Sequence, residues 1–480
     1  MKNIYYSLII LCLVMVCRDT TYAQHKYDTG ISGFYSSNGN SPFWNQANQL
    51  GFFPDHSPSL ITYISISSDF KRDSAGKYNR PLDWGYGLNG GAILTDKEVK
   101  GVLPMAYLKA KIWEFEITAG RMTQFTGLTG DTTLTSGSFA ISGNSLPVPG
   151  IRFAIPEFRT LRFSQGWLAM KAHYSESFLG NNFLMNNTTG NINNTALHSK
   201  AITFRIGNDA YPVKLFVGAN HQVMWGGNPE KSDDQMISSS IGTYKNVISR
   251  KSGENLLIGE HIGSVDLGIE FTEYSWTYFL YRQNFYEQDY HNKKMNWQDG
   301  LTGLEIRRHN FRPATAFHIN TALVEFISTM NKKDLDISTN TLSVRPESYY
   351  NHSFYRSGWA YKGRGLGNPL LAPGKLVKEE HIANNDYLTA NNRIIAIHTG
   401  LKGAFYKIPW MIKATYSRNS GTYTSELNPA LDQLSFIMNV EVPLRKFWGT
   451  RLQMGISGDV GELYHNNFSV NIGLRKSGIL

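Results

Sequence analysis

Between Gln433 and Val460 the chain writes one hydrophobic alternation twice, around a short basic turn. In the first run Leu434, Phe436, Met438, Val440 and Val442 alternate with Ser435, Ile437, Asn439 and Glu441. In the second, Leu452, Met454, Ile456 and Val460 alternate with Arg451, Gln453, Ser457 and Asp459. Period two means strands with one apolar and one polar face. Each run is about as long as the roughly 9–11 tilted residues that cross a bilayer as a β-strand. The apolar set is expected to face lipid, and Ser435, Asn439, Glu441, Arg451, Gln453 and Ser457 the lumen.

The same alternation runs from early in the chain to its last residues. Leu60, Ile64 and Ile66 oppose Tyr63, Ser65 and Ser67; Phe115 and Ile117 oppose Glu114, Glu116 and Thr118. Leu267, Ile269 and Phe271 oppose Asp266, Gly268 and Glu270, and Ile395 and Ile397 oppose Ala396 and His398. Phe468, Val470, Ile472 and Leu474 oppose Ser469, Asn471, Gly473 and Arg475. Short connectors at Tyr406–Pro409 and Arg445–Gly449 contrast with longer polar ones at Ser417–Asp432 and Asp459–Asn467. That rhythm is the outer-membrane arrangement, with the short turns periplasmic. The longest irregular stretches, 126–150, 183–194, 225–255 and 349–386, are expected to supply extracellular loops, some folding inward as a plug. At roughly 25 residues per strand plus connector, the chain accommodates about 18 strands in one domain.

Composition supports this without deciding it. Residues 1–23 read as a signal peptide: Lys2 is the positive end, Leu8–Cys17 the apolar segment, and Thr21-Tyr22-Ala23 the cleavage site. Both cysteines, Cys12 and Cys17, fall inside it, so the mature chain, expected as residues 24–480, has no disulfide or cysteine metal site. The 41% hydrophobic and 13% aromatic content suits a lipid-facing barrel and a large secreted β-protein equally. The formal charge of +9 is scattered rather than clustered, which argues against nucleic acid as a partner.

Several segments, spread over nearly all the mature chain, together resemble the Wzi family of capsule-assembly outer-membrane proteins, in particular its Bacteroides-type branch. They are Ser41-Pro42-Phe43-Trp44 with Ala47-Asn48-Gln49-Leu50-Gly51, then Leu134–Ser138 leading to Ser142–Ser145, and Pro147-Val148-Pro149. His198-Ser199-Lys200, His221–Gly227, Gly259–Ser264, Asp299–Leu304 and Glu325–Thr329 follow. Last come Gly358–Gly363, Gly367–Leu370 and Asn391-Asn392-Arg393. The resemblance implies an all-β transmembrane antiparallel barrel of 18 strands with an occluded lumen. It also implies a non-enzymatic, lectin-like protein that holds exported capsular or other surface polysaccharide at the cell surface. The chain departs from outer-membrane barrels that end in an aromatic residue, since it ends in Gly478-Ile479-Leu480.

Sugar recognition needs flat apolar faces for the C–H side of a pyranose and planar polar groups for its hydroxyls. Trp44, Trp225, Trp359 and Tyr361 offer the first; Arg364, Asn368 and Arg393 offer the second. The competing role for such aromatics is in the girdles and core of the barrel itself. Lumen arginines such as Arg121 and Arg205 can meet uronate carboxylates or pair with lumen acids such as Glu114 and Glu325. Neither the carboxylates nor the histidines His221, His261 and His398 form a catalytic or metal-binding signature, so no enzyme activity and no cofactor are expected. Expected partners are surface polysaccharide, outer-membrane lipid and lipopolysaccharide, with the protein itself a monomer. The rival function is an outer-membrane porin or substrate-selective channel, which would show the same strands and the same polar lumen.

Overall fold

The computed structural model describes residues 25–480 except 73–79, 183–191, 209, 230–239, 250–258, 288–295, 310–315, 332–347, 353, 356, 383–388, 445 and 448. The expected signal peptide lies outside the described residues. The wall opens with β1 (Lys26–Ser36), β2 (Ser59–Ser68), β3 (Leu82–Thr95), β4 (Val99–Ile112), β5 (Phe115–Arg121) and β6 (Gly150–Thr160). It continues through β7 (Leu168–Asn182), β8 (Ile192–Ile206) and β9 (Val213–Trp225), with the two-residue β10 (Asn228–Pro229) pairing onto β8. Next are β11 (Glu260–Glu273), β12 (Trp276–Glu287), β13 (Gly300–Arg308) and β14 (Phe317–Ser328). Short strands β15 (Ala360–Tyr361), β16 (Arg364–Gly365), β17 (Ala372–Pro373) and β18 (Thr389–Asn391) belong to the following loop. β19 (Ile394–Phe405), β20 (Ile408–Gly421), β21 (Glu426–Pro443), β22 (Thr450–Gly461) and β23 (Asn467–Ile479) complete the wall.

Leaving aside β10 and β15–β18, eighteen strands pair antiparallel with their sequence neighbours. β23 then pairs with β1 from Lys26↔Ile479 to Ser36↔Ser469, which closes the sheet and leaves no open edge. The seam is also tied from inside. Arg475 of β23 binds Asp28 of β1 through Nε (3.0 Å) and Nη2 (2.6 Å), and Glu441 of β21 through Nη1 (3.0 Å). Arg451 and Gln453 of β22 donate to the same Glu441.

The faces divide as the alternation requires. Leu434, Ile456, Val460, Ile472 and Leu474 are exposed outward, whereas Ser435, Ser457, Asp459 and Ser469 are buried inward. Leu267, Ile269 and Phe271 likewise point out while Asp266 is buried. In water an exposed apolar band of this extent would be unfavourable; in a bilayer it is the solvated face. Substituting Ile472, half exposed in the middle of β23, by Lys is therefore expected to cost roughly 2–4 kcal/mol. Urea unfolding in lipid vesicles measures it, and a cost near zero would contradict the lipid-facing assignment.

Connections at the end where β1 starts and β23 stops are short, such as 113–114, 274–275 and 406–407. The opposite end carries the long ones, 37–58, 122–149, 226–259 and 329–393. Short turns mark the periplasmic side, so the long connections are extracellular.

Candidate functional site

Three extracellular connections turn into the barrel. A loop there has no water for its backbone amides, so the lumen face of the wall must supply partners. For loop 122–149 those partners are mostly side chains of β11–β14 and β19. Asp266 accepts from the Leu128 amide at 3.0 Å, and Gln283 donates to the Leu128 carbonyl at 2.7 Å. Asp131 is held by Lys402, while Glu305 accepts from its amide. Glu325, fully buried, accepts from Thr135 Oγ1 (2.6 Å), the Ser136 amide (2.7 Å) and Tyr281 Oη (2.6 Å). His398 Nε2 donates to the Leu134 carbonyl at 2.7 Å, so in the neutral ring Nδ1 accepts from Thr415 Oγ1. Gly400, on the same lumen face, makes room for this segment: a Cβ there would lie 2.9 Å from Leu134 Cβ.

Loop 37–58 enters from the other side of the lumen through the one-turn helix α1 (Phe43–Gln46). The Phe43 amide donates to Asp459 of β22 at 2.8 Å, and Asn45 donates to Ser469 of β23 at 3.1 Å. Trp44 is completely buried, with Lys413 Nζ 4.0 Å above its ring and His398 beside it. The third loop, 329–393, locks the other two together. Trp359 Nε1 donates to the Ala140 carbonyl (2.7 Å) and Asn368 Nδ2 to the Gly137 carbonyl (2.6 Å). Tyr350 Oη bonds the Phe139 carbonyl and accepts from the Asn368 amide. Phe139 stacks on Phe285 of the wall at 4.1 Å and on Tyr350 at 5.3 Å, which forms the apolar centre of the plug. The lumen is occluded, as expected.

On its extracellular side the plug ends in a polar cap. Arg364 Nη2 reaches Asp55 at 2.5 Å and the Phe53 carbonyl at 2.9 Å, and Lys375 approaches the same carboxylate at 3.5 Å. Partial burial pushes the Asp55 carboxyl up, but Arg364 and Lys375 outweigh it and hold the group below its ordinary value. Next in sequence, His56 is exposed and bonded to Asn40 at 3.1 Å. Asn467 donates to the Asn40 carbonyl, and the exposed Asn38 donates to that of Asn466. The result is a contiguous surface of amides, an imidazole and guanidinium and ammonium groups, rich in planar donors and acceptors.

The residues singled out in the sequence do not form one cluster. Trp44, Trp359, Tyr361 and Asn368 are buried inside the plug, where Tyr361 Oη accepts from Arg121 at 3.1 Å. Arg364 is at the cap. Arg393 sits at the rim, 2.8 Å from Glu426 and with its guanidinium 4.8 Å from the Tyr423 ring centre. Trp225 lies on the outer side of the wall, beside Tyr244. Glu114 lies in the turn between β4 and β5 and pairs with Arg159 at 2.6 Å, whereas Glu325 serves the plug. Asp55, His56, Lys375 and Asn40 were not singled out; Asn40, Asp55 and His56 flank the Ser41–Gly51 segment, and Lys375 follows Gly367–Leu370.

A sequence model described as capsule assembly protein Wzi matches residues 63–394. No curated protein sequence matches the chain. A solved structure of Wzi, described as an outer membrane protein involved in group 1 capsule assembly in Escherichia coli and as a carbohydrate-binding β-barrel, is 12% identical. The superposition covers 98% of this chain and 86% of that one at a TM-score of 0.58, which establishes the common barrel fold. Acinetobacter baumannii OccAB4 is 10% identical, with 95% and 98% of the two chains covered at a TM-score of 0.47. The family match runs from within β2 to the first residue of β19 and takes in two of the three plug loops. The chain belongs to the Wzi capsule-assembly family of outer-membrane β-barrels.

Proposed function

We propose that this barrel binds exported capsular or other surface polysaccharide at its extracellular cap and holds it at the cell surface, without catalysis and without a cofactor. The observation that carries the reading is the filled lumen beneath a polar cap. Three interlocked loops occupy the space a channel would need, while Lys375, His56, Asn38 and Asn40 present donors and acceptors to the outside and the largely buried Arg364 holds Asp55 in place among them. The description of Escherichia coli Wzi as a carbohydrate-binding barrel supports the ligand class. Trp44, Trp359, Tyr361 and Asn368 act as the scaffold behind the cap, and Arg393 with Tyr423 supplies a further rim contact. The protein works as a monomer in this reading.

The test uses polysaccharide extracted from the native cell surface and the protein in lipid nanodiscs. His56→Ala combined with Asn40→Ala is expected to weaken binding about tenfold, or ~1.4 kcal/mol, with heat-modifiable gel mobility unchanged. Deletion of the gene is expected to release glycan into the medium. A cell-attached layer that stays intact, or a double variant that binds as the parent does, would sink the proposal.

A further inference from the structure

The outer wall departs from its lipid-facing rule near the extracellular end of β7–β9 and β11. On β7, Ser175 and Ser177 are buried toward the lumen, so Tyr174 and Glu176 share the outward side with the exposed Phe178. By the same alternation His198 and Lys200 share a side with exposed Ile202, His221 with Val217, and His261 with Leu267. Polar groups on a lipid face are costly unless covered or paired.

Over Tyr174, Glu176, His198 and Lys200 the cover is helix α2 (Ile241–Ser249), lying outside the barrel. Tyr244 Oη donates to Glu176 Oε1 at 2.6 Å and is hydrogen-bonded to Tyr174 Oη. Lys200 Nζ donates to the Ile248 carbonyl at 2.5 Å. His198 Nδ1 lies 2.5 Å from Glu176 Oε1, and His221 Nε2 lies 2.9 Å from His261 Nδ1.

The helix leaves a gap. Phe178, Ala196 and Trp225 stand in register across β7, β8 and β9, and the small central Ala196 makes a depression between two large rings. With Ile151 below and Ile241 and Tyr244 of α2 beside it, this forms a groove of about 480 Å³ that opens sideways, within the roughly 300–1,000 Å³ of small-molecule sites. Its lining is mainly apolar. Ile151 and Phe178, each more than half exposed, make it continuous with the lipid-facing band. Among the described residues, the Trp225 Nε1 donor that borders the groove is buried with no hydrogen-bond partner. An unmet buried donor costs about 1–3 kcal/mol.

We propose that this groove holds one acyl chain of an outer-leaflet lipopolysaccharide, a hydroxylated chain whose oxygen accepts from Trp225 Nε1. Hydrocarbon is the occupant because the groove opens onto the bilayer face. The outer leaflet is the source because the groove lies at the extracellular end of the strands. The hydroxyl follows from the indole N–H: a phospholipid chain carries no polar atom below its ester, whereas the 3-hydroxyacyl chains of lipid A do.

The protein in detergent, stripped of lipid, is offered rough-type lipopolysaccharide, its deacylated form, or phosphatidylethanolamine, and retained lipid is read by native mass spectrometry. One lipopolysaccharide per barrel is expected, with neither of the other two retained. Ala196→Trp, which fills the groove from the wall, is expected to reduce retention at least tenfold, and Trp225→Phe, which removes the N–H together with part of the ring, several-fold. Should Ala196→Trp fail to assemble, Ile241→Trp closes the groove from the helix side. Unchanged retention in the assembled groove-filling variant overturns the proposal. So does retention of deacylated lipopolysaccharide or of phosphatidylethanolamine equal to that of the intact glycolipid.

Discussion

Excising residues 127–148 and joining the ends through a short Gly-Ser linker is expected to turn a non-conducting barrel into an open pore. In planar bilayers the intact protein should hold the baseline, and the excised one should give discrete steps with steady current. The expectation rests on two observations. Barrels of 16–18 strands leave an aqueous channel when nothing fills them, and this loop makes the plug's deepest contacts, down to Lys402 and Glu305. Loop 329–393 would lose the Gly137 and Ala140 carbonyls to which Asn368 and Trp359 are bonded, and loop 37–58 would lose the Ser136 carbonyl that accepts from Asn48. Steady current from the intact protein would instead favour the channel reading, and silence from a correctly assembled excised barrel would mean the other two loops seal it alone.

The second large effect is expected at Glu325. Its carboxylate is the shared acceptor of Thr135, Ser136 and Tyr281, all buried. In Glu325→Ala three donors lose their partner at once; at about 1–3 kcal/mol each, the docked plug should weaken by on the order of 3–9 kcal/mol. Glu325→Gln keeps one acceptor oxygen but turns an NH₂ toward donors, so it should recover only part. Limited proteolysis within 130–140, or amide exchange there, reads the loss while heat-modifiable mobility confirms that the wall remains. Equal protection in Glu325→Ala and the parent would remove this carboxylate from the account of occlusion.

Much of the wall was legible in the sequence because its cause is local. Side chains alternate sides along a strand, so Leu434 to Val442 and Leu452 to Val460 displayed their two faces without knowledge of any neighbour. The plug was not legible in the same way. Ser136, Ser138 and Ser142 are fully buried, yet a Ser- and Gly-rich stretch reads the same whether it lies in water or in a lumen. What distinguishes the cases is a partner such as Glu325, about 190 positions away. The tryptophans show the converse: Trp44 and Trp359 look like sugar platforms in composition, but a filled lumen also needs large apolar bodies at its centre. The outward histidine of β8 broke the alternation, and Glu176 of the wall with Tyr244 of α2 beside it explain why.

The pairing of β1 with β23 bears on how such a protein is made. Loop 37–58 follows the first strand, yet its anchors Asp459 and Ser469 lie on the last two. While the chain is incomplete, β1 keeps an unpaired edge open to aggregation, and α1 has nothing to dock on. Sealing the wall and seating the first loop are thus a single late event. A chain cut short before β22 can finish neither, so an unfinished product is exposed to proteases from its N-terminal end as well as from its broken one.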